Sequence, residues 1–209
     1  MRLVMAGKEP VPSFLDLGCG DGILAAALLE QYPSSKGVLL DFSEPMIQSA
    51  KTKLQKHGEN LVFETVDYGE SGWIQSVTSA RPFDVVVSGF SIHHQADERK
   101  RQLYSEIHDS LRPGGLFVNI EHVSSPTQWI EHVWDDYFID SLYALSLKEG
   151  STKTREDVAR EFYYRPDKHA NILAPVESQC DWLREAGYVD VDCYFKVFEL
   201  AVFGGRRIP

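Results

Sequence analysis

The stretch from Phe14 to Gly22, FLDLGCGDG, constrains this chain more than any other. A short apolar run ends on an acid, Asp16, and glycines at 18, 20 and 22 precede an apolar segment from Ile23 to Leu29. The pattern reads as a strand, a tight loop and the start of a helix. Glycine at alternate positions removes the Cβ atoms that would hold a ligand away from bare backbone. The first turn of the helix then offers free N–H groups to that ligand. Such geometry suits a nucleoside-type cofactor, and G-x-G-x-G is not the G-x-G-x-x-G of dinucleotide enzymes. A tight β–α turn that binds nothing is the plainer alternative, and the rest of the chain decides between the two.

Strand and helix signals alternate through residue 122. Gly37 to Asp41 forms a second buried strand that again closes on an acid. Ser43 then stands as a helix cap, with Pro45 in the first turn and Met46, Ile47, Ala50 and Leu54 giving the helical period. Asn60 to Asp67 is a third strand, followed by a short helix around Trp73, Ile74 and Val77. Phe83 to Gly89 is a fourth strand, β-branched and buried on both faces. Leu103, Ile107 and Leu111 mark a helix from about Asp97 to the Pro113-Gly114-Gly115 stop, and Leu116 to His122 is the fifth strand. Strands separated by helices, joined by right-handed crossovers, give a doubly wound, mostly parallel sheet. Ligands on such sheets bind beyond the carboxyl ends of the strands, where the strand order reverses. Asp16, Asp41, Asp67 and the Ser88–Phe90 turn therefore gather on one edge.

After Val123 the pattern changes. Pro126 begins an amphipathic helix through Trp129, Ile130, Val133, Trp134, Tyr137, Phe138, Leu142 and Leu145, and a second helical stretch covers Arg155 to Tyr164. A loop at Arg165–His169 follows, and Pro175 opens a helix with Val176, Cys180 and Leu183 inward and Gly187 past its end. Tyr188 to Phe195 and Phe198 to Gly204 are two final strands, antiparallel to each other.

Four features stand together: the glycine loop, Asp41 at the second strand end, Asp67 at the third, and LRPGG before the fifth strand. With DFSEPMI, FDVVVSGFSIHH and LRPGGLFVNIEH they resemble the class I S-adenosylmethionine-dependent methyltransferases, in the branch that acts on small molecules, over Phe14 to Arg206. The resemblance implies an α/β, Rossmann-like sheet of seven strands, mostly parallel with the last strand antiparallel. It also implies one methyltransferase domain over residues 1–209 with a helical substrate cover at 123–174. The cofactor is then S-adenosylmethionine, with S-adenosylhomocysteine as the product. Asp41 lies where a carboxylate accepts both ribose hydroxyls. Asp16 faces the ammonium of the cofactor's amino-acid end, and Gly18, Cys19, Gly20 and Gly22 let it approach the backbone. Phe42 and Met46 pack on adenine, Asp67 accepts from its amino group beside Tyr68, and Ser88, Gly89 and Phe90 supply backbone under the methionine portion.

Methyl transfer in this family is in-line, and the cofactor is already activated, so the protein supplies alignment and water exclusion. A general base, where one is used, comes from His93 and His94 after the fourth strand or Glu121 and His122 at the end of the fifth, with His94 first in order of interest. His122, Trp134, Tyr137 and Tyr163 are the expected substrate-pocket residues, and no metal is expected. The chain departs from the family in two ways. Only about a dozen residues precede Phe14, so the usual lid helices are missing, shortened or replaced by the insert. GFSIHH also stands where enzymes that methylate exocyclic amines of DNA bases carry Asn/Asp-Pro-Pro-Tyr.

Composition sets the remaining bounds. With 209 residues, 43% apolar and 25% charged, the chain suits one α/β domain of a soluble protein. Its 31 acidic and 21 basic residues give a formal charge of −10, which disfavours a nucleic-acid partner. Lys51, Lys53 and Lys56, like Arg99, Lys100 and Arg101, read as solvated helix faces. Neither a membrane span nor a secretory leader is visible, and Cys19, Cys180 and Cys193 form no disulfide framework, so a cytoplasmic enzyme is expected. A small-molecule acceptor is the expected partner. The competing classes are a nicotinamide-dependent dehydrogenase, opposed by the glycine spacing, and a non-catalytic cofactor-binding module, opposed by the aromatic insert. A metal hydrolase using His93, His94, Glu121 and His122 lacks a ligand spacing.

Overall fold

The structure, a computed structural model, describes residues 10–164 and 170–209. Its strands are β1 (Ser13–Leu17), β2 (Lys36–Asp41), β3 (Leu61–Thr65), β4 (Phe83–Gly89), β5 (Leu111–His122), β6 (Tyr188–Val197) and β7 (Leu200–Arg207). The α-helices are α1 (Ile23–Gln31), α2 (Glu44–Lys53), α3 (Asp97–Ser110), α4 (Gln128–Lys148), α5 (Arg155–Val158) and α6 (Val176–Glu185). All seven strands share one sheet in the order β3-β2-β1-β4-β5-β7-β6. The first five are parallel, and β7 runs antiparallel to both β5 and β6.

The period of two along β1 sorts its side chains between two cores. Phe14 joins Leu39, Val85 and Val118 under α1 and α2, where Ala25, Leu28, Leu29, Ile47 and Ala50 are buried. Leu15 and Leu17 join Leu40, Val86 and Phe117 under α3 and α6, with Leu103, Ile107 and Leu183. Truncating one of the fully buried leucines to alanine costs about 2–5 kcal/mol. Because the covering helices change face after β3, strand order reverses between β1 and β4. The loops leaving those strands diverge and open a crevice at their carboxyl ends.

Several boundaries differ from expectation, each for a local reason. β3 stops at Thr65, leaving Asp67 in the loop beyond the strand. β5 starts at Leu111 rather than Leu116, because Leu111 pairs with Phe83 before the ladder breaks between Phe83 and Val85. Ser43 occupies the N-cap of α2 without a capping bond from its side chain, and its N–H donates to Asp41 instead. The stretch Arg155–Tyr164 divides into α5, started by a Thr154–Asp157 capping box, and a π-helical turn over Ala159–Tyr163. In α4 only Trp134 and Ile139 are buried and Trp129 is 72% exposed, so the helix does not bury a whole face. Lys100 corrects the solvated-face reading of α3: it is buried, and its ammonium donates to Asp97 and to the Ile172 carbonyl. The Arg165–His169 loop lies outside the described residues.

Candidate functional site

Three carboxylates and the glycine loop meet at the carboxyl edge. The Asp41 carboxylate accepts from Gly20 N at 2.8 Å through Oδ2 and from Ser43 N at 2.9 Å through Oδ1. Each oxygen keeps a further lone pair, enough for two hydroxyl donors. Gly20 has φ +52°, and a Cβ there would meet no atom within 4 Å, so the loop faces open space. At Gly18 the opposite holds, since a Cβ would lie 1.8 Å from Ser91 Oγ. Asp16 is buried under the loop. Its Oδ2 accepts from Ala25 N at 3.0 Å, and its Oδ1 has no partner among the described residues. Burial pushes its carboxyl up to about 7, opposed by the Ala25 bond and assisted by Asp41 and Asp21. A buried, half-satisfied carboxylate beside bare backbone fits a cationic ligand group, and Asp41 fits a ribose.

The other proposed cofactor positions are arranged around this centre. Phe42, the residue after Asp41, is 71% exposed, and Met46, in the first turn of α2, is 47% exposed. Asp67 is exposed, with Oδ1 accepting from Gly69 N at 2.7 Å. Tyr68 is buried rather than open to a ligand; its hydroxyl pairs with Ser91 and its ring lies 3.4 Å from the position of a Gly18 Cβ. Cys19 and Ser88 point inward. Cys19 N donates to Leu40 O at 2.8 Å, and Ser88 Oγ donates to Leu17 O at 2.7 Å, binding β4 to β1. Burial holds the Cys19 thiol well above its ordinary range. Gly22 and Gly89 make room for Leu54 and Leu24, whose methyls would sit 2.9 Å from an added Cβ. Phe90, at φ +49°, leads from β4 into the second half of the site.

That half is a cavity of about 360 Å³ lined by Phe90, His93, His94, His122, Trp134, Phe138, Phe162, Tyr163, Asn171 and Leu200. Its size is that of a small-ligand pocket. His93 is buried, with Nδ1 2.6 Å from Glu121 Oε1, and its backbone N–H donates to Glu121 Oε2 at 3.0 Å. The fully buried Glu121 also accepts from His122 N at 2.8 Å. His122 Nε2 lies 2.8 Å from Oε2 of Glu199, which is itself buried. The His93 and His122 rings are 5.9 Å apart between centres. His94 is exposed at the rim, with Nδ1 3.3 Å from Ala170 O. The Tyr163 hydroxyl donates to Asp135, and the π turn sets its ring 5.8 Å from Phe138.

His122, Trp134 and Tyr163 thus reach the cavity, whereas Tyr137 does not line it. Tyr137 lies half-exposed on α4 with its ring 5.8 Å from Phe198, because that turn of the helix faces the β6–β7 hairpin. Glu199 is the residue that sequence reasoning missed. The sequence places it within the last strand, whereas it lies in the turn before β7, and only the pairing of β5 with β7 brings it to His122. Among the described residues no group of three or more His, Cys, Asp or Glu is arranged to hold a metal ion. None of their helices is long and apolar enough to cross a membrane.

Residues 14–115 match the family described as a methyltransferase domain. A demethylmenaquinone methyltransferase of Lactococcus lactis is 30% identical over 188 residues, covering 86% of this chain and 67% of that protein. A carboxy-S-adenosyl-L-methionine synthase of Helicobacter hepaticus is 24% identical over 194 residues, covering 91% of this chain and 74% of that protein. The fold matches human N-acetylserotonin methyltransferase in complex with S-adenosylmethionine with a TM-score of 0.58, at 18% identity, over 100% of this chain and 51% of that one. The chain spans about half the length of such solved structures. Sheet order, glycine loop, strand-end acids and these relatives agree: the chain belongs to the class I S-adenosylmethionine-dependent methyltransferases.

Proposed function

We propose that the protein transfers a methyl group from S-adenosylmethionine to a hydroxyl of a small aromatic acceptor held against His93. The observation that carries this reading is the buried His93–Glu121 pair on an aromatic-walled cavity beside the β4 end. A carboxylate can only accept, so the proton between them sits on Nδ1 and leaves the lone pair of the neutral ring on Nε2. Nε2 has no partner among the described residues. When bound, S-adenosylmethionine supplies an electrophilic methyl on a sulfonium. The acceptor's hydroxyl gives its proton to Nε2 while its oxygen forms the new bond to the methyl carbon; the carbon–sulfur bond breaks and its electron pair stays on sulfur. The resulting imidazolium is stabilised by the Glu121 carboxylate at 2.6 Å.

On this reading Asp41 binds the ribose, Asp16 the ammonium, and Phe42, Met46 and Asp67 the adenine. The segment 123–174 then serves as the cover that excludes water, with Trp134 and Tyr163 against the acceptor. His93, rather than the rim residue His94, takes the proton, because the buried Glu121 carboxylate stands behind its ring.

The test is methyl transfer from S-adenosylmethionine across a panel of phenols, with His93→Asn and His94→Asn beside wild type. His93→Asn is expected to lower kcat by about 10²–10⁴ with the cofactor Kd within about twofold, and His94→Asn to leave kcat within about threefold. Wild-type turnover that survives His93→Asn would remove the base from the scheme.

A further inference from the structure

The cavity holds a second imidazole–carboxylate pair that the proton transfer does not use. Glu199 sits in the two-residue turn between β6 and β7, where Val197 pairs with Leu200. Such turns favour Gly, Asn or Asp at positions with positive φ, yet here Phe198 takes φ +50°. A non-glycine side chain in that region is strained, because its Cβ crowds the following carbonyl oxygen. The turn is then fastened to the sheet, with Val123 N donating to Glu199 O at 2.8 Å. Phe198 packs 6.0 Å from the Trp134 ring, and the neighbouring glutamate is carried inward, 4% exposed, onto His122 Nε2. Departures from turn chemistry of this kind concentrate at functional sites.

Resting on the hydroxyl-methylation reading above, we infer that His122, oriented by Glu199, is a specificity-determining residue that binds a second hydroxyl on the ring of the acceptor. The chemistry repeats that of His93 with the nitrogens exchanged. Glu199 accepts the proton of Nε2, so the lone pair of the neutral ring lies on Nδ1, which has no partner among the described residues. The His122 ring lines the same cavity as His93, at 5.9 Å between centres, a separation that one six-membered ring with two hydroxyl groups can bridge. Glu121 and Glu199 place two buried carboxylates behind these imidazoles, which repels an acidic acceptor. The favoured substrate class is therefore an uncharged dihydroxylated aromatic, with Phe90, Trp134 and Phe138 available to its faces.

The experiment measures equilibrium binding of 4-methylcatechol, 4-methylresorcinol and 4-methylphenol to the full chain saturated with S-adenosylhomocysteine, which needs no turnover. Wild type is expected to bind at least one diol about tenfold more tightly than the monohydroxy probe, the effect of one hydrogen bond. His122→Leu should abolish that preference, leaving 4-methylphenol binding within about twofold. His122→Asn, whose amide lies where Nδ1 does, should restore part of it, and Glu199→Gln should reduce it. Equal loss for all three probes in His122→Leu, or no diol preference in wild type, overturns the proposal. A diol preference that His122→Leu abolishes, in a protein that methylates none of the probes, keeps this assignment and removes the methylation reading instead.

Discussion

The bonds that hold Asp16, Asp41 and Asp67 at the cofactor end all run from backbone N–H to carboxylate, across nine, 21 and two residues of chain. At the acceptor end imidazoles also meet carboxylates, His93 with Glu121 across 28 residues and His122 with Glu199 across 77, in addition to the backbone N–H groups that Glu121 receives. Backbone donors are present whatever the neighbouring side chains are, so the first arrangement needs only a strand, a glycine loop and an acid at the right spacing. The second needs two strands and a hairpin from distant parts of the chain to arrive in register. A fold built in this way can keep its cofactor end while its acceptor end changes through an insert or a turn.

If the two ends are separable, variants should divide by the quantity that they change. The largest effect is expected from Glu121→Gln, which removes the charge behind His93 and allows the wrong tautomer. Single-turnover rates should fall by about 10²–10⁴ with cofactor binding unchanged, and a matching loss of cofactor affinity would break the division.

Asp16 gives the next effect, as a dependence on pH. Its carboxyl is raised by burial to about 7 in the folded chain, against about 4 when unfolded. Between those values the folded state keeps a proton that the unfolded state has lost. Stability without cofactor should therefore decline as pH rises from about 4 to about 7 and level off above. A ligand ammonium favours the carboxylate, so cofactor affinity should rise over the same window. Asp16→Asn should flatten both slopes, as followed by urea unfolding and by titration calorimetry at several pH values.

The smallest effect belongs to Tyr137→Ala. Its ring lies 5.8 Å from Phe198 and 6.2 Å from Trp134 without lining the cavity itself, so acceptor KM should stay within about twofold while stability drops by about 0.5–1 kcal/mol. A large change in KM would move Tyr137 into the pocket and blur the comparison.

The same contrast explains what the sequence alone conveyed. FLDLGCGDG, Asp41 and the alternating strands are local signals, and sheet topology with its switch between β1 and β4 follows from them. Lys100 was illegible because a lysine in a run of charges reads as solvated, and its partner, the Ile172 carbonyl, lies 72 residues away. Tyr137 and Tyr163 look alike as aromatics in the insert; only the π turn and the hairpin separate one from the other. Glu121 was visible as a polar residue at a strand end, but its preference for His93 over solvent depends on the β4–β5 register that pairs Gly89 with Ile120.

The most direct test of the cofactor end is calorimetric titration of S-adenosylmethionine into wild type and Asp41→Ala at constant pH. Losing two charge-assisted hydrogen bonds should weaken binding by about 10²-fold or more, in a protein whose unfolding remains cooperative. Binding of equal strength in a folded Asp41→Ala variant would contradict the account, since the ribose would then lie somewhere other than the end of β2.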